Sequence, residues 1–263
     1  MITPRLVTIP LSHYGERARW ALDHAGIDYD EVHTLQMFSW ASALRHGRHR
    51  TLPVLLLGDR CLDDSSLIID FADTRAARPL FPSAARDRAA VRELSARFAG
   101  DFGVATRLIA YEWFFRSLDT CLTFNAGRAP PYQARLFATA PGAVSAMAKR
   151  YLGVAEPAVS TARDLVRRTM DEVASRLADG RRYLFGDTFT AADLTFATMA
   201  WLTVTPSRYP VALPSIDAIP EDARRAILGW REHPAGAFVM RLYDERPATR
   251  GRYERPLAAA PDR

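Results

Sequence analysis

Ser12 stands where a short apolar run, Leu6 to Ile9, gives way to a helix carrying Ala18, Ala21, Leu22 and Ala25 along one side. At such a junction the backbone N–H groups point out of the helix start unpaired and carry partial positive charge. The hydroxyl could cap the helix, or share that place with an anionic ligand. A second junction, Asp63 to Ser66, opens another helix. Asp64 or Ser65 suits its N-cap. The Ser65 hydroxyl and amide could also hold a carboxylate, and Asp64 could pair with an ammonium. A carboxylate beside an ammonium belongs to an α-amino acid, or to the free end of a γ-glutamyl peptide. The third stretch is Thr51 to Leu55, where Pro53 opens a strand without a ladder donor. A cis Leu52–Pro53 bond would turn the backbone groups of Leu52 outward to pair with an extended peptide. A trans proline at a strand start is the plainer alternative.

The elements that position these residues follow from periodicity. Residues 1–80 alternate strand and helix signals. "IDYDEVHTL" has the period of a half-buried strand, "QMFSWASALRHG" is a short, poorly capped helix, and "LPVLLLGDRCL" is a hairpin turned at Gly58–Asp59. "DSSLIIDFADTRA" has Leu67, Ile68 and Phe71 at core spacing. The order is β-α-β-α-β-β-α, whose first half is a parallel crossover. "RPLFPSAA", residues 78–85, reads as a linker. Beyond it the pattern is helical, over 86–119, 131–152, 157–179, 190–203, 220–232 and 235–245. The fold class is therefore α/β plus all-α, a small mixed domain followed by a helical bundle. In this order all three junctions cluster at one sheet edge.

Composition narrows the partners. The 263 residues are 48% hydrophobic and 25% charged, an ordinary globular balance. Net charge is +5, almost all from arginine, since Lys149 is the only lysine. Residues 1–80 are net −1, and a tail over 246–263 carries +3. That tail, from 247 to 263, reads as a solvated, flexible end, and the charge alone does not point to nucleic acid. Cys61 and Cys121 have neither zinc nor redox-motif spacing, so no metal is expected. No signal peptide or membrane span is evident, so the expected location is cytoplasmic, with no membrane partner.

The sequence resembles the cytosolic glutathione transferases. "SHYGERARWALDHAGIDY" is similar to their first-helix stretch, a catalytic Ser or Cys followed by an Arg-rich helix and Gly-Ile. "LPVL" resembles their cis-proline motif and "CLDDSSLIIDF" their Leu-x-Glu-Ser-x-x-Ile γ-glutamyl site. "YLFGDTFTAADLTFA" looks like their capping-box signature, with Thr190 and Asp193 as a structural pair. The likeness covers most of residues 5–245.

The resemblance implies a thioredoxin-like glutathione-binding domain at 1–80 with a cis bond before Pro53. An all-helical substrate domain follows at 86–246. Glutathione would be co-substrate, held by Leu52, Pro53, Asp64 and Ser65, while Ser12 activates its thiol for attack on a small hydrophobic electrophile. His13 and Tyr14 are further candidates for the sulfur, and His49 and Arg50 for the glycyl carboxylate. Tyr111, Trp113 and Phe114 are candidates for a hydrophobic substrate pocket, with a packed core as the plainer role. Relatives form two-fold dimers, and a homodimer is expected. The alternatives to conjugation are a glutathione-dependent isomerase, dehalogenase or thiol reductase, and a non-catalytic protein that retained the fold. Serine in place of cysteine disfavours thiol transfer.

Overall fold

The computed structural model describes residues 3–35, 38–46, 51–114, 152–213 and 215–253, with scattered positions between 130 and 150. The first domain runs β1 (Arg5–Thr8), α1 (His13–His24), β2 (Tyr29–His33), α2 (Ser39–His46), β3 (Val54–Leu57), β4 (Arg60–Leu62) and α3 (Ser65–Asp73). This is the order read from the sequence. Gly26 lies just beyond α1 at φ +69°, and Gly58 turns the β3–β4 hairpin at φ +65°, conformations that cost glycine little.

Pairing of β1 with β2 is parallel, Val7 beside Val32, whereas β1 and β3 are antiparallel, Val7 beside Val54. β4 returns along β3 with Leu62 beside Leu55. Leu6, Ala18, Leu22, Tyr29, Leu55 and Ile68 form a small core between sheet and helices.

The helical domain comprises α4 (Ala85–Arg97), α5 (Gly103–Phe114), α6 (Ala158–Leu177), α7 (Ala191–Val204), α8 (Glu221–Glu232) and α9 (Pro234–Asp244). α7 is central, with every residue except Leu202 buried, which explains why its sequence is apolar on all sides. Asp193 accepts from the Thr190 and Leu184 backbone N–H groups at 2.8 and 2.7 Å and so ties the start of α7 to the preceding loop.

The single helix expected over 86–119 is corrected by the structure. α4 gives way to a wide turn, Phe98–Phe102, where Gly100 leaves helical geometry at ψ −112°, and α5 starts afresh. Glycine is the weakest helix former after proline, which lets the chain bend there. Residues 115–119 and most of the helix expected over 131–152 lie outside the described residues.

The tail differs more. Read as flexible from residue 247, it instead adds a fifth strand, β5 (Gly251–Tyr253), parallel to β2. The sheet order is β4-β3-β1-β2-β5. Beyond that ladder and the stacking of Tyr253 on His33, its attachment is electrostatic. Arg246, nearly buried, pairs with Glu16 at 2.9 Å and Asp23 at 2.8 Å, both on α1. The Arg250 N–H donates to Asp23, and on the surface Arg250 and Arg252 meet Asp28 and Asp30. The basic residues that suggested a solvated end are thus matched by acidic ones on α1, on β2 and in the loop that joins them. Residues 254–263 lie outside the described residues.

Candidate functional site

The register brings the three junctions together. β1 runs toward Ser12, antiparallel β3 begins beside its end just after Pro53, and β4 returns to that edge before Asp64. The Leu52–Pro53 bond is cis.

Ser12 is the N-cap of α1, and its hydroxyl oxygen accepts the Gly15 N–H at 3.1 Å. Gly15 allows this close packing, because a Cβ there would run into Thr8 Oγ1. No described residue accepts the hydrogen of the Ser12 hydroxyl. At the second helix start Asp64 is the N-cap, accepting from Ser66 N–H at 2.6 Å, and is itself exposed. Ser65 follows as the first residue of α3 and is buried.

His13 and Tyr14, the other candidates for the sulfur, turn to the second domain. The Tyr14 hydroxyl donates to the Ala99 carbonyl at 2.6 Å. His13 Nε2 lies 3.0 Å from the Gly103 carbonyl. A carbonyl only accepts, so Nε2 carries the hydrogen and a neutral ring leaves Nδ1 as an acceptor. Burial and the charge of Arg107 hold His13 down at about 3, so the ring is neutral at physiological pH. Burial raises the Tyr14 phenol above its ordinary value. Tyr14 thus commits its donor hydrogen to the wide turn and His13 its own to the first residue of α5, and together they pin the two domains. Gly103 permits the approach: a Cβ there would meet Met199 Sδ at 2.6 Å and the Tyr14 hydroxyl at 3.2 Å.

Tyr111, Trp113 and Phe114 all lie on α5 and are half-buried. At about 100° per residue Tyr111 and Phe114 share a side while Trp113 points away from Tyr111. Trp113 packs on the helical core, and burial pushes the Tyr111 phenol up to about 12. The three do not form one wall. His49 and Arg50 lie outside the described residues.

Arg107 was missed by sequence reading. It lies one turn beyond Gly103 on α5, and its charge acts on His13, Tyr14 and Tyr111 together. Nothing in the sequence distinguishes it from the other arginines, since its proximity to α1 arises only when the domains pack. Among the described residues no group of three or more His, Cys, Asp or Glu could hold a metal, and no helix is long and apolar enough to cross a membrane.

Comparison with known proteins agrees with this architecture. Residues 6–80 match the family described as glutathione S-transferase, N-terminal domain, and residues 156–233 match glutathione S-transferase, C-terminal domain. No curated protein matches the sequence. Among solved structures, a glutathione S-transferase from Rhodospirillum rubrum is 21% identical with a TM-score of 0.61, over 93% of this chain and 89% of that one. One from Methylobacterium radiotolerans, in complex with glutathione sulfonate, is 21% identical with a TM-score of 0.54, over 97% of this chain and 100% of its own. The beta-etherase of a Sphingobium species is 13% identical with a TM-score of 0.58, over 91% of this chain and 99% of that one.

Proposed function

Because the chain belongs to the glutathione S-transferase family, we propose that it binds glutathione along the edge shared by Ser12, Pro53 and Ser65 and transfers the thiolate to a small hydrophobic electrophile. The observation that carries this reading is the Ser12 hydroxyl. Its oxygen accepts from Gly15, its hydrogen has no described acceptor, and its neighbours His13 and Tyr14 have theirs committed elsewhere.

In this reading Ser12 donates to the glutathione sulfur at the positive end of α1. Both the hydrogen bond and the helix terminus favour the charged thiol. Lowering a free thiol from about 8.5 by about two units corresponds to about 2.7 kcal/mol and raises the thiolate fraction at pH 7 from about 3% to about 75%. The thiolate attacks an electrophilic carbon and the leaving group departs; serine forms no covalent intermediate. The outward backbone of Leu52 pairs with the peptide, Ser65 and the start of α3 take the γ-glutamyl carboxylate, and Asp64 takes its ammonium. His49 or Arg50 is proposed for the glycyl carboxylate. The helical domain supplies the electrophile's pocket, and a two-fold dimer is the proposed assembly.

Retention on glutathione resin, a thiolate absorbance band near neutral pH and turnover of an electrophile panel are the expected results. Retention without conjugation would move the assignment to isomerase, dehalogenase or reductase chemistry. Absence of retention would leave a binding protein that lost the site. Asp64→Ala should weaken glutathione binding by about 1.5–3 kcal/mol, the range for a hydrogen bond to a charged group. Unchanged affinity by calorimetry in the folded variant would overturn its role.

A further inference from the structure

A cavity of about 400 Å³ lies at the other end of α1 from Ser12 and belongs to neither domain alone. Its lining comes from the end of α1, the linker, the loop before α7 and the segment after α9. At 1.5 Å per residue, the 12 residues of α1 carry it about 18 Å from the edge proposed for glutathione. Cavities of this size at domain boundaries suit small ligands. Rings dominate its interior. Trp20, 1% exposed, stacks on Phe189 with centroids 6.0 Å apart, and Tyr183 meets Phe189 edge-on at 5.6 Å. His24 lies 5.6 Å from the same phenylalanine. Such surfaces favour a flat aromatic ligand.

Among the described residues an arginine and two acids line this cavity, and they differ in what they touch. Glu245 is taken: it accepts from Arg182 at 3.2 Å, Arg241 at 3.1 Å and the Tyr183 hydroxyl at 3.2 Å. Arg78 and Asp187 are both exposed, and neither side chain has an ion pair or hydrogen bond within the described residues, nor do they pair with each other. The backbone holds both in place. His24 Nε2 donates to the Arg78 carbonyl at 2.8 Å and fastens the linker to the end of α1. Gly186, at φ +82°, closes a tight turn in which its carbonyl accepts the Tyr183 N–H at 2.8 Å, and Asp187 follows directly. One uncommitted cation and one uncommitted carboxylate beside a ring-lined cavity match a ligand with a charge of each sign next to an aromatic group. An aromatic α-amino acid carries both charges on one carbon, whereas a peptide separates them at its two ends. We propose that this cavity binds a free aromatic α-amino acid, its ring against Phe189 and Trp20, its carboxylate on Arg78 and its ammonium on Asp187. The site is separate from the glutathione edge and does not depend on the reading given for it.

Ligand-observed NMR titrations of the full chain with L-tryptophan, tryptamine and indole-3-propionate read each charge in turn. L-Tryptophan should bind, and an excess of S-methylglutathione should not displace it. Loss of the carboxylate in tryptamine, or of the ammonium in indole-3-propionate, should raise Kd about three- to fivefold, the contribution of a partly screened ion pair. Arg78→Gln should weaken L-tryptophan by the same factor and bring it within about twofold of tryptamine, while the penalty for indole-3-propionate stays in place. Asp187→Asn should do the converse. Both side chains are exposed and unpaired, so these variants should fold. Absence of L-tryptophan binding, displacement by S-methylglutathione, or charge penalties unchanged in the two variants would each overturn the assignment. So would equal binding of L-tryptophan and either of its analogues by the unaltered chain.

Discussion

At Ser12 one hydroxyl accepts a backbone N–H and keeps a hydrogen to give, and substitution separates the two roles. Ser12→Ala should lose about 1 kcal/mol of stability as a lost cap. It should also raise the thiol pKa of bound glutathione by a unit or more, read by titrating thiolate absorbance. Tyr14→Phe removes the bond to the Ala99 carbonyl and should cost about 1 kcal/mol in a denaturant melt while the thiol pKa stays in place. The reverse pattern, a thiol pKa moved by Tyr14→Phe and untouched by Ser12→Ala, would hand the sulfur to the tyrosine. His13 supplies a pH dependence of definite sign. Burial, with Arg107 beside it, holds its pKa at about 3 in the fold, against about 6.5 in the unfolded chain, so below that value the unfolded state binds the extra proton. Its contribution is fully present above pH about 6.5 and is lost at about 1.4 kcal/mol per unit as pH falls toward 3. His13→Gln can keep the hydrogen bond without titrating. Its stability should fall less steeply over that window in urea melts at stepped pH, and identical slopes would refute the account.

Among the elements, the strand after α9 makes the largest demand on buried charge. Glu16 and Asp23 have raised pKa values because burial outweighs their partners, and Arg246 is the cation they share. Arg246→Ala leaves two buried carboxylates poorly compensated, a loss of about 3–5 kcal/mol by the usual cost of breaking a buried pair. Raised carboxyl pKa values mean that the unfolded state holds fewer protons, so the variant's deficit should shrink as pH falls and these groups become neutral. A deficit independent of pH between 7 and 5 would mean that packing, not charge, fastens the tail. The contrast between β5 and the other strands shows what was legible in the sequence. β2 and the β3–β4 hairpin announce themselves through alternation and a Gly-Asp turn, local signals that survive without tertiary context. β5 is three residues of an arginine-rich segment, and its attachment depends on Asp23, Asp28 and Asp30 more than two hundred residues earlier. Likewise Ser12 and Asp64 were legible as caps from their own neighbourhoods. Arg17, which donates to Ser65 of α3, Ser95 of α4 and Thr195 of α7, and Arg107, whose charge acts on His13 and Tyr14, acquire these partners only when α1 meets the other helices, and no spacing rule carries that.

For the whole molecule, one buried cluster runs across the boundary between the domains, beside the smaller core of the first. Trp20 and Ala21 of α1, with Ile69 and Ala72 of α3, belong to the same buried cluster as Phe98, Phe196 and Tyr243 of the helical domain. The hydrogen bonds of His13, Tyr14 and Arg17 cross that boundary as well. The tail adds a constraint of a different kind, one of timing. A ribosome delivers Glu16 some 230 residues before the Arg246 that neutralises it. Domains ordinarily fold in the order they emerge, amino end first. Here the leading domain emerges with its outer strand unfilled, Asp23 without its arginine and Glu16 left to Arg19 alone, and it is completed only after the helices have passed. A nascent chain halted before residue 246 should be open to protease within α1, and the same site should become protected once residue 253 has cleared the exit tunnel.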